Sequence, residues 1–232
     1  MGERPGFVGL DTVPADRYGE GYPRFHLRAD LAGAYLRAYR QVRALGGVLT
    51  SSGAIRALSA EVTPGRSSTS LHYTGRAIDL YLRTGMQGPD DPYLVARDGG
   101  PDEAPLWKVY CVSSTPETDH PLYDESLLLQ GEMEYALWTA GEGYRTARRR
   151  VVCFSLTDVL AAHGWQRIPS RPEWRTSYPS VEWWHFQHHA GLVPGETRFG
   201  DELERVWPAE RVAASGLELG AVWRGLSFGP PE

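Results

Sequence analysis

Cysteine is scarce in this chain, with two in 232 residues, Cys111 and Cys153. Two cannot build a disulfide framework, and neither has neighbours at metal-binding spacing. Each sits in an apolar run of strand character, Val109-Tyr110-Cys111-Val112 and Val151-Val152-Cys153-Phe154. Both are expected as buried free thiols, with a single bridge between them as the alternative. Long hydrophobic runs are missing too. No stretch of about 18 apolar residues is present, which excludes a membrane-spanning helix. The opening Met1-Gly2-Glu3-Arg4-Pro5-Gly6-Phe7 lacks the apolar core of a signal peptide, so the chain reads as cytoplasmic. There is no basic stripe: the net charge is −5, and Arg148-Arg149-Arg150 reads as a solvated edge. Nucleic acid is therefore not expected as a partner. The absence of internal repeats and low-complexity tracts sets aside repeat architectures.

What is present has the balance of a soluble globular protein, 41% hydrophobic and 23% charged. The length suffices to bury a core. The reading is one domain over residues 1–232, with inserted material at about 85–150.

Residues 1–27 are rich in Gly, Pro and Tyr and read as an irregular arm packed by its aromatics. From Asp30 the residues Leu31, Ala34, Tyr35, Ala38, Val42 and Leu45 recur at helical spacing, and Gly46-Gly47 stops the helix. Val48–Ser51 reads as a short strand, and Arg76–Leu82 as another. Residues 85–105, punctuated by Gly and Pro, form the clearest loop. Trp107–Val112 and Val151–Phe154 read as strands, and 127–138 as a helix burying Met133, Tyr135, Leu137 and Trp138. Ser155 or Thr157 caps a short helix that ends at Gly164. Residues 166–180 form a connection, Val181–Gln187 a buried strand, and Asp201–Trp207 a helix broken at Pro208. The fold class is α+β: an antiparallel-rich central sheet, helices on one face, and long inserted loops.

Two clusters carry chemistry. Ser70-Leu71-His72-Tyr73-Thr74-Gly75-Arg76-Ala77-Ile78-Asp79 is followed about a hundred residues later by Glu182-Trp183-Trp184-His185. Two imidazoles and two carboxylates match a catalytic zinc site with three protein ligands, an open position and a separate carboxylate as base. Residues seven apart on a strand point to opposite faces. His72 and Asp79 therefore converge only if the chain turns between them, and Thr74-Gly75 is the place for it. Glu182 and His185 pose the same parity problem, so Glu182 belongs at a bulge or where the strand begins. Trp183 shares the strand side of His185 and is read toward substrate, with Trp184 in the core. His188 and His189 read as a solvated strand end, with a supporting role for His189 as the alternative.

Ser70-x-His72-x-x-Gly75-x-Ala77-x-Asp79 followed by Glu182-x-Trp184-His185 resembles the zinc D-alanyl-D-alanine peptidases of the VanX/VanY type. That fold group is shared with lysostaphin-like enzymes and the hedgehog domain. The resemblance spans roughly residues 30–82 and 150–190. It implies zinc held by His72, Asp79 and His185, with Glu182 as catalytic base. It also implies an arginine for substrate or transition state, matched by Arg56 after Ser52-Gly53 with one extra residue of spacing, Arg66 being the fallback. Ser70 resembles the family serine that hydrogen-bonds substrate. The implied substrate is a small peptide or peptidoglycan-derived peptide. A zinc-site enzyme acting on a non-peptide metabolite and a catalytically silent zinc-binding module are the alternatives. The gap between Asp79 and Glu182 exceeds that of compact family members, making 85–150 a candidate cover for the cleft.

Overall fold

The computed structural model describes residues 6–10, 25–63 and 66–231. Strands β1 (Phe7–Leu10) and β2 (Phe25–Arg28) pair antiparallel, with Phe7 opposite Arg28. The expected irregular arm is thus partly a ribbon, and the rest of it lies outside the described residues. Helix α1 (Ala29–Ala44) buries Leu31, Tyr35, Ala38 and Val42, the face the periodicity predicts. Asp30 in its first turn and Arg43 in its last complement the helix dipole. Gly46, at φ 78°, ends it against the Pro116 backbone.

Val48–Ser51 does not pair as a strand. Side chains satisfy its backbone instead: Thr50 N–H donates to Tyr93 Oη at 2.9 Å, and Tyr93 O–H donates to the Val48 carbonyl at 2.9 Å. Strand β3 is short, Ala77–Asp79. The loop expected at 85–105 contains strand β4 (Tyr93–Arg97), which pairs with β5 (Trp107–Val112). The helix expected over 127–138 is instead strand β6 (Leu128–Thr139), paired with β7 (Gly143–Ser155) from Leu128↔Phe154 to Thr139↔Gly143. The reason lies in burial. Tyr135 and Leu137 pack into a small cluster with Leu94, while Ala136 enters the main core and Trp138 packs against it. Burial on both faces erases the polar alternation that marks a half-exposed strand. Residues 85–150 thus supply most of a four-stranded antiparallel sheet, ordered β4-β5-β7-β6.

Ser155 caps helix α2 (Leu156–Ala162) by accepting from Asp158 N–H, and Gly164 follows its end at φ 86°. Strand β8 (Trp165–Arg167) leads to β9 (His185–His188), which lies between β8 and β3 in a three-stranded antiparallel sheet. The antiparallel α+β expectation holds, but of the residues singled out for metal binding Asp79 and His185 belong to this smaller sheet and His72 to the turn before it, none to the large sheet. Val181–Trp184 precedes β9 instead of extending it. Pro208 separates two short helices, α3 (Phe199–Glu204) and α4 (Ala209–Ala213). A final hairpin pairs β10 (Val222–Trp223) with β11 (Phe228–Gly229).

The main core joins α1 and α2 to both larger sheets through Tyr35, Leu160, Trp165, Phe154 and Phe186. A second core joins Phe199, Leu203, Val212 and Trp223 of the C-terminal region to Leu71, Tyr73 and Ala77. Each such buried side chain contributes roughly 1.5–3 kcal/mol, so the C-terminal segment anchors the stretch around His72. Cys111 and Cys153 are free and buried, and burial pushes their thiols up to about 12 and about 11. Among the described residues no helix is long and apolar enough to cross a membrane.

Candidate metal centre

The turn the sequence demands between His72 and Asp79 is a 3₁₀ turn, Leu71–Thr74. Ser70 starts it by accepting from His72 N–H at 3.4 Å. Gly75 closes it at φ 67°, and a Cβ there would sit 2.7 Å from Phe7 Cε1 and 2.9 Å from Arg28 N. Only glycine fits both the angle and the space. Arg76 then fixes the start of β3. It is buried, with Nε–H donating to Glu202 Oε2 at 2.7 Å and Nη1–H to the carbonyls of His188 and Ala190.

Asp79 lies directly opposite His185 in the β3–β9 register, the geometry in which cross-strand side chains meet. His185 Nδ1 is 2.9 Å from Asp79 Oδ1, and His72 Nε2 is 3.2 Å from Asp79 Oδ2. The imidazole centroids are 5.0 Å apart, and one ligand atom from each of the three residues lies within 4.8 Å of the others. His72 Nδ1 is 2.5 Å from the Ala54 carbonyl, to which it donates. That contact leaves His72 Nε2 to face the centre, as backbone acceptors do for metal-ligating histidines. The segment carrying Ala54 also clamps β3, since Ser52 N–H donates to Asp79 C=O at 2.8 Å and Asp79 N–H to Gly53 C=O at 2.9 Å.

Burial works against ionisation of Asp79, but the His72 charge and hydrogen bonds from both imidazoles outweigh it and hold the carboxyl well below the usual range. Burial likewise disfavours a charged His185, yet Asp79's hydrogen bond and charge, with Glu182's charge beyond, raise it above its ordinary value. A carboxylate between two imidazoles thus calls for compensating positive charge. Two nitrogens and one oxygen form a donor set that fits a divalent cation.

Glu182 does not follow the strand alternation. Its φ is 57°, the left-handed region, and His185 N–H donates to its carbonyl at 3.1 Å. The resulting turn sets Glu182 in the wall of a cavity of about 480 Å³ that also contains His72, Asp79 and His185. Arg171 Nε–H donates to Glu182 Oε1 at 2.6 Å. Arg56, Arg66 and Ser70 line the same cavity. A second recess of about 390 Å³ lies against Ser52–Ala57 and shares Arg56, Arg66, His72 and Asp79. The guanidinium of Arg56 lies 5.4 Å from the centroid of the Tyr73 ring.

Trp183 does not take the place expected of it, and Trp184, buried in the core as expected, also lines the cavity. Trp183 is 1% exposed and donates through Nε1–H to Tyr178 Oη at 2.9 Å, whereas Trp184 lines the cavity. The turn at 182–184 breaks the alternation on which the expectation rests. Nor are His188 and His189 a solvated strand end. His188 is buried against Trp165, and the His189 ring lies 4.8 Å from that of Trp223. No lining residue of the cavity comes from 85–150, so among the described residues that segment does not cover it.

Arg171 and Gln187 line the cavity but are not singled out by the sequence. Arg171 carries no local signal inside its Pro- and Ser-bearing connection. Gln187 does, being two residues after His185 on one strand. No family model, curated protein or solved structure matches the chain.

Proposed function

We propose that the protein is a zinc-dependent peptidase acting on short D-amino-acid-containing peptides of the peptidoglycan type. The observation that carries the reading is the convergence of His72, Asp79 and His185 in one cavity with a second carboxylate, that of Glu182. His72, Asp79 and His185 would hold a zinc ion, which would supply Lewis-acid polarisation of a carbonyl and lower the pKa of a water. The Glu182 carboxylate takes a proton from the attacking water and returns it to the leaving amine. Arg171 holds that carboxylate in place through its Oε1 contact. Arg56 and Arg66 offer cations to a substrate carboxylate or a developing oxyanion. Leu82, Ile168, Pro179 and Trp184 give the cavity apolar walls for a small side chain. The volume is that of a small-ligand site. The motif resemblance narrows the substrate to peptides of this class.

The test is mass spectrometry of D,D-dipeptides and muropeptides incubated with zinc-loaded protein, alongside Glu182→Ala. Cleavage by the wild type alone, with equal metal content in both proteins, supports the reading. The Arg171–Glu182 ion pair favours a second one, in which Glu182 is held structurally and the chain is a silent metal-binding module. No cleavage of any of these peptides by metal-loaded wild type points to that alternative or to an enzyme acting on a non-peptide metabolite.

A further inference from the structure

His185 and Gln187 are two apart on β9, so their side chains leave the same face of the strand. Gln187 is 5% exposed, and its amide is fixed from both sides. Its Nε2–H donates to the Leu226 carbonyl at 2.6 Å. The reversed amide would set two acceptors against each other there, so the oxygen is the atom that faces His185. Gln187 Oε1 lies 3.4 Å from His185 Nε2. An amide oxygen only accepts, so Nε2 is the nitrogen that carries the hydrogen. Nδ1 is the nitrogen that faces Asp79 Oδ1, 2.9 Å away, and the one turned toward a cation held between them.

His72 shows the same construction, with Nδ1 on the Ala54 carbonyl and Nε2 toward Asp79 Oδ2. Each imidazole therefore has one nitrogen occupied by a fixed acceptor and the other turned inward. The acceptor for His72 is backbone. The acceptor for His185 is a side chain held by the loop between β10 and β11, whose Leu226 and Ser227 also line the cavity.

Resting on the metal-centre reading, we propose that Gln187 is the positioning residue that presents His185 Nδ1 to the metal, and that the Leu226 carbonyl keeps Gln187 in that orientation. The C-terminal hairpin is thereby tied to the ligand set.

The test compares Gln187→Met, which keeps bulk but removes both hydrogen bonds, with Gln187→Glu, which keeps an oxygen toward His185 and loses the donor to Leu226. Zinc affinity is read by competition with a chromophoric chelator, and ligand geometry by the visible absorption of the Co²⁺ form. Circular dichroism and the thermal midpoint report folding. Gln187→Met is expected to bind zinc about 10- to 100-fold more weakly, the usual effect of losing a partner of a ligating histidine. Gln187→Glu is expected to retain affinity near wild type with a lower thermal midpoint. Unchanged affinity in Gln187→Met overturns the proposal. So does equal loss in both variants, because the Leu226 contact alone would then matter. If Gln187→Met does not fold, Gln187→Glu decides, since loss of affinity there also overturns it. Wild type that binds no divalent ion overturns both this proposal and the metal-centre reading. Wild type that binds zinc but cleaves nothing overturns only the hydrolase reading, because affinity is measured without turnover.

Discussion

Asp79 and His185 face each other across β3 and β9, with Oδ1 and Nδ1 2.9 Å apart. Sheet register, not a loop, sets that distance, so the centre is preformed. A ligand that binds only the folded chain stabilises it by about 2.7 kcal/mol at a hundred times its dissociation constant. For a protein of this size that is roughly 5–11 °C of thermal midpoint. Zinc is expected to raise the midpoint by that amount and chelator to reverse it. Asp79→Ala is expected to abolish the zinc response, as read by differential scanning fluorimetry with and without metal.

Glu202 is fully buried, and its Oε2 accepts from Arg28 Nη1 at 2.6 Å and Arg76 Nε at 2.7 Å. The three side chains join β2, the start of β3 and α3 beneath the His72 turn. Glu202→Gln leaves the buried Arg76 guanidinium without its counter-charge, while Arg28 keeps its pair with Asp30. Breaking a buried pair in this way costs about 3–5 kcal/mol. Urea unfolding is expected to show a loss of that size, and the metal response to weaken with it because Arg76 holds the β3–β9 junction. An unchanged midpoint would mean that the network contributes no net stability.

How much of this is legible in the sequence depends on how local each determinant is. The His72–Gly75–Asp79 turn is readable because parity forbids convergence without it and glycine marks the place. Helix α1 is readable because Leu31, Tyr35, Ala38 and Val42 bury one stripe. Strand β6 is not, because both faces of its end are covered and the alternation at Ala136–Trp138 disappears. The burial of Trp183 away from the cavity that Trp184 lines is hidden because it follows from one left-handed residue, Glu182, whose conformation nothing in the neighbouring letters announces. Arg171 reaches Glu182 only through tertiary structure. Gln187 carries a period-two signal after His185, overshadowed by the two histidines beyond it.

His189, which is not one of the metal ligands, gives a pH prediction. Its Nε2 is buried with no hydrogen-bond partner among the described residues. Burial first, then the charges of His188, Arg76 and His185, push its imidazole down to about 4. An unfolded histidine titrates near 6.5. Between those values the unfolded chain binds more protons than the folded one, so stability rises with pH there and is lost as pH falls from about 6.5 toward 4. His189→Phe keeps a ring against Trp223 and removes the proton. The variant is expected to gain stability relative to wild type at pH 5 more than at pH 7.5, as measured by urea unfolding at both. An equal change at both values would show that His189 does not contribute to the acid sensitivity.

Trp183 and Trp184 are adjacent in sequence and opposite in role, which makes them a crossed test of the cavity. Trp183 closes over Gly85, where a Cβ would meet its ring at 2.8 Å, and packs against Tyr93. Replacing a buried tryptophan by alanine costs about 3–5 kcal/mol through lost contacts and the void left behind. Trp183→Ala is therefore expected to lower the thermal midpoint and to leave KM for a cleaved dipeptide close to wild type in the fraction that folds. Trp184 lines the cavity beside His185. Trp184→Phe keeps an aromatic wall while changing its shape, so KM is expected to rise and the midpoint to move little. If Trp183→Ala raised KM and Trp184→Phe did not, substrate would contact the Trp183 side, and the cavity that holds His72, Asp79 and His185 would not be where the peptide binds.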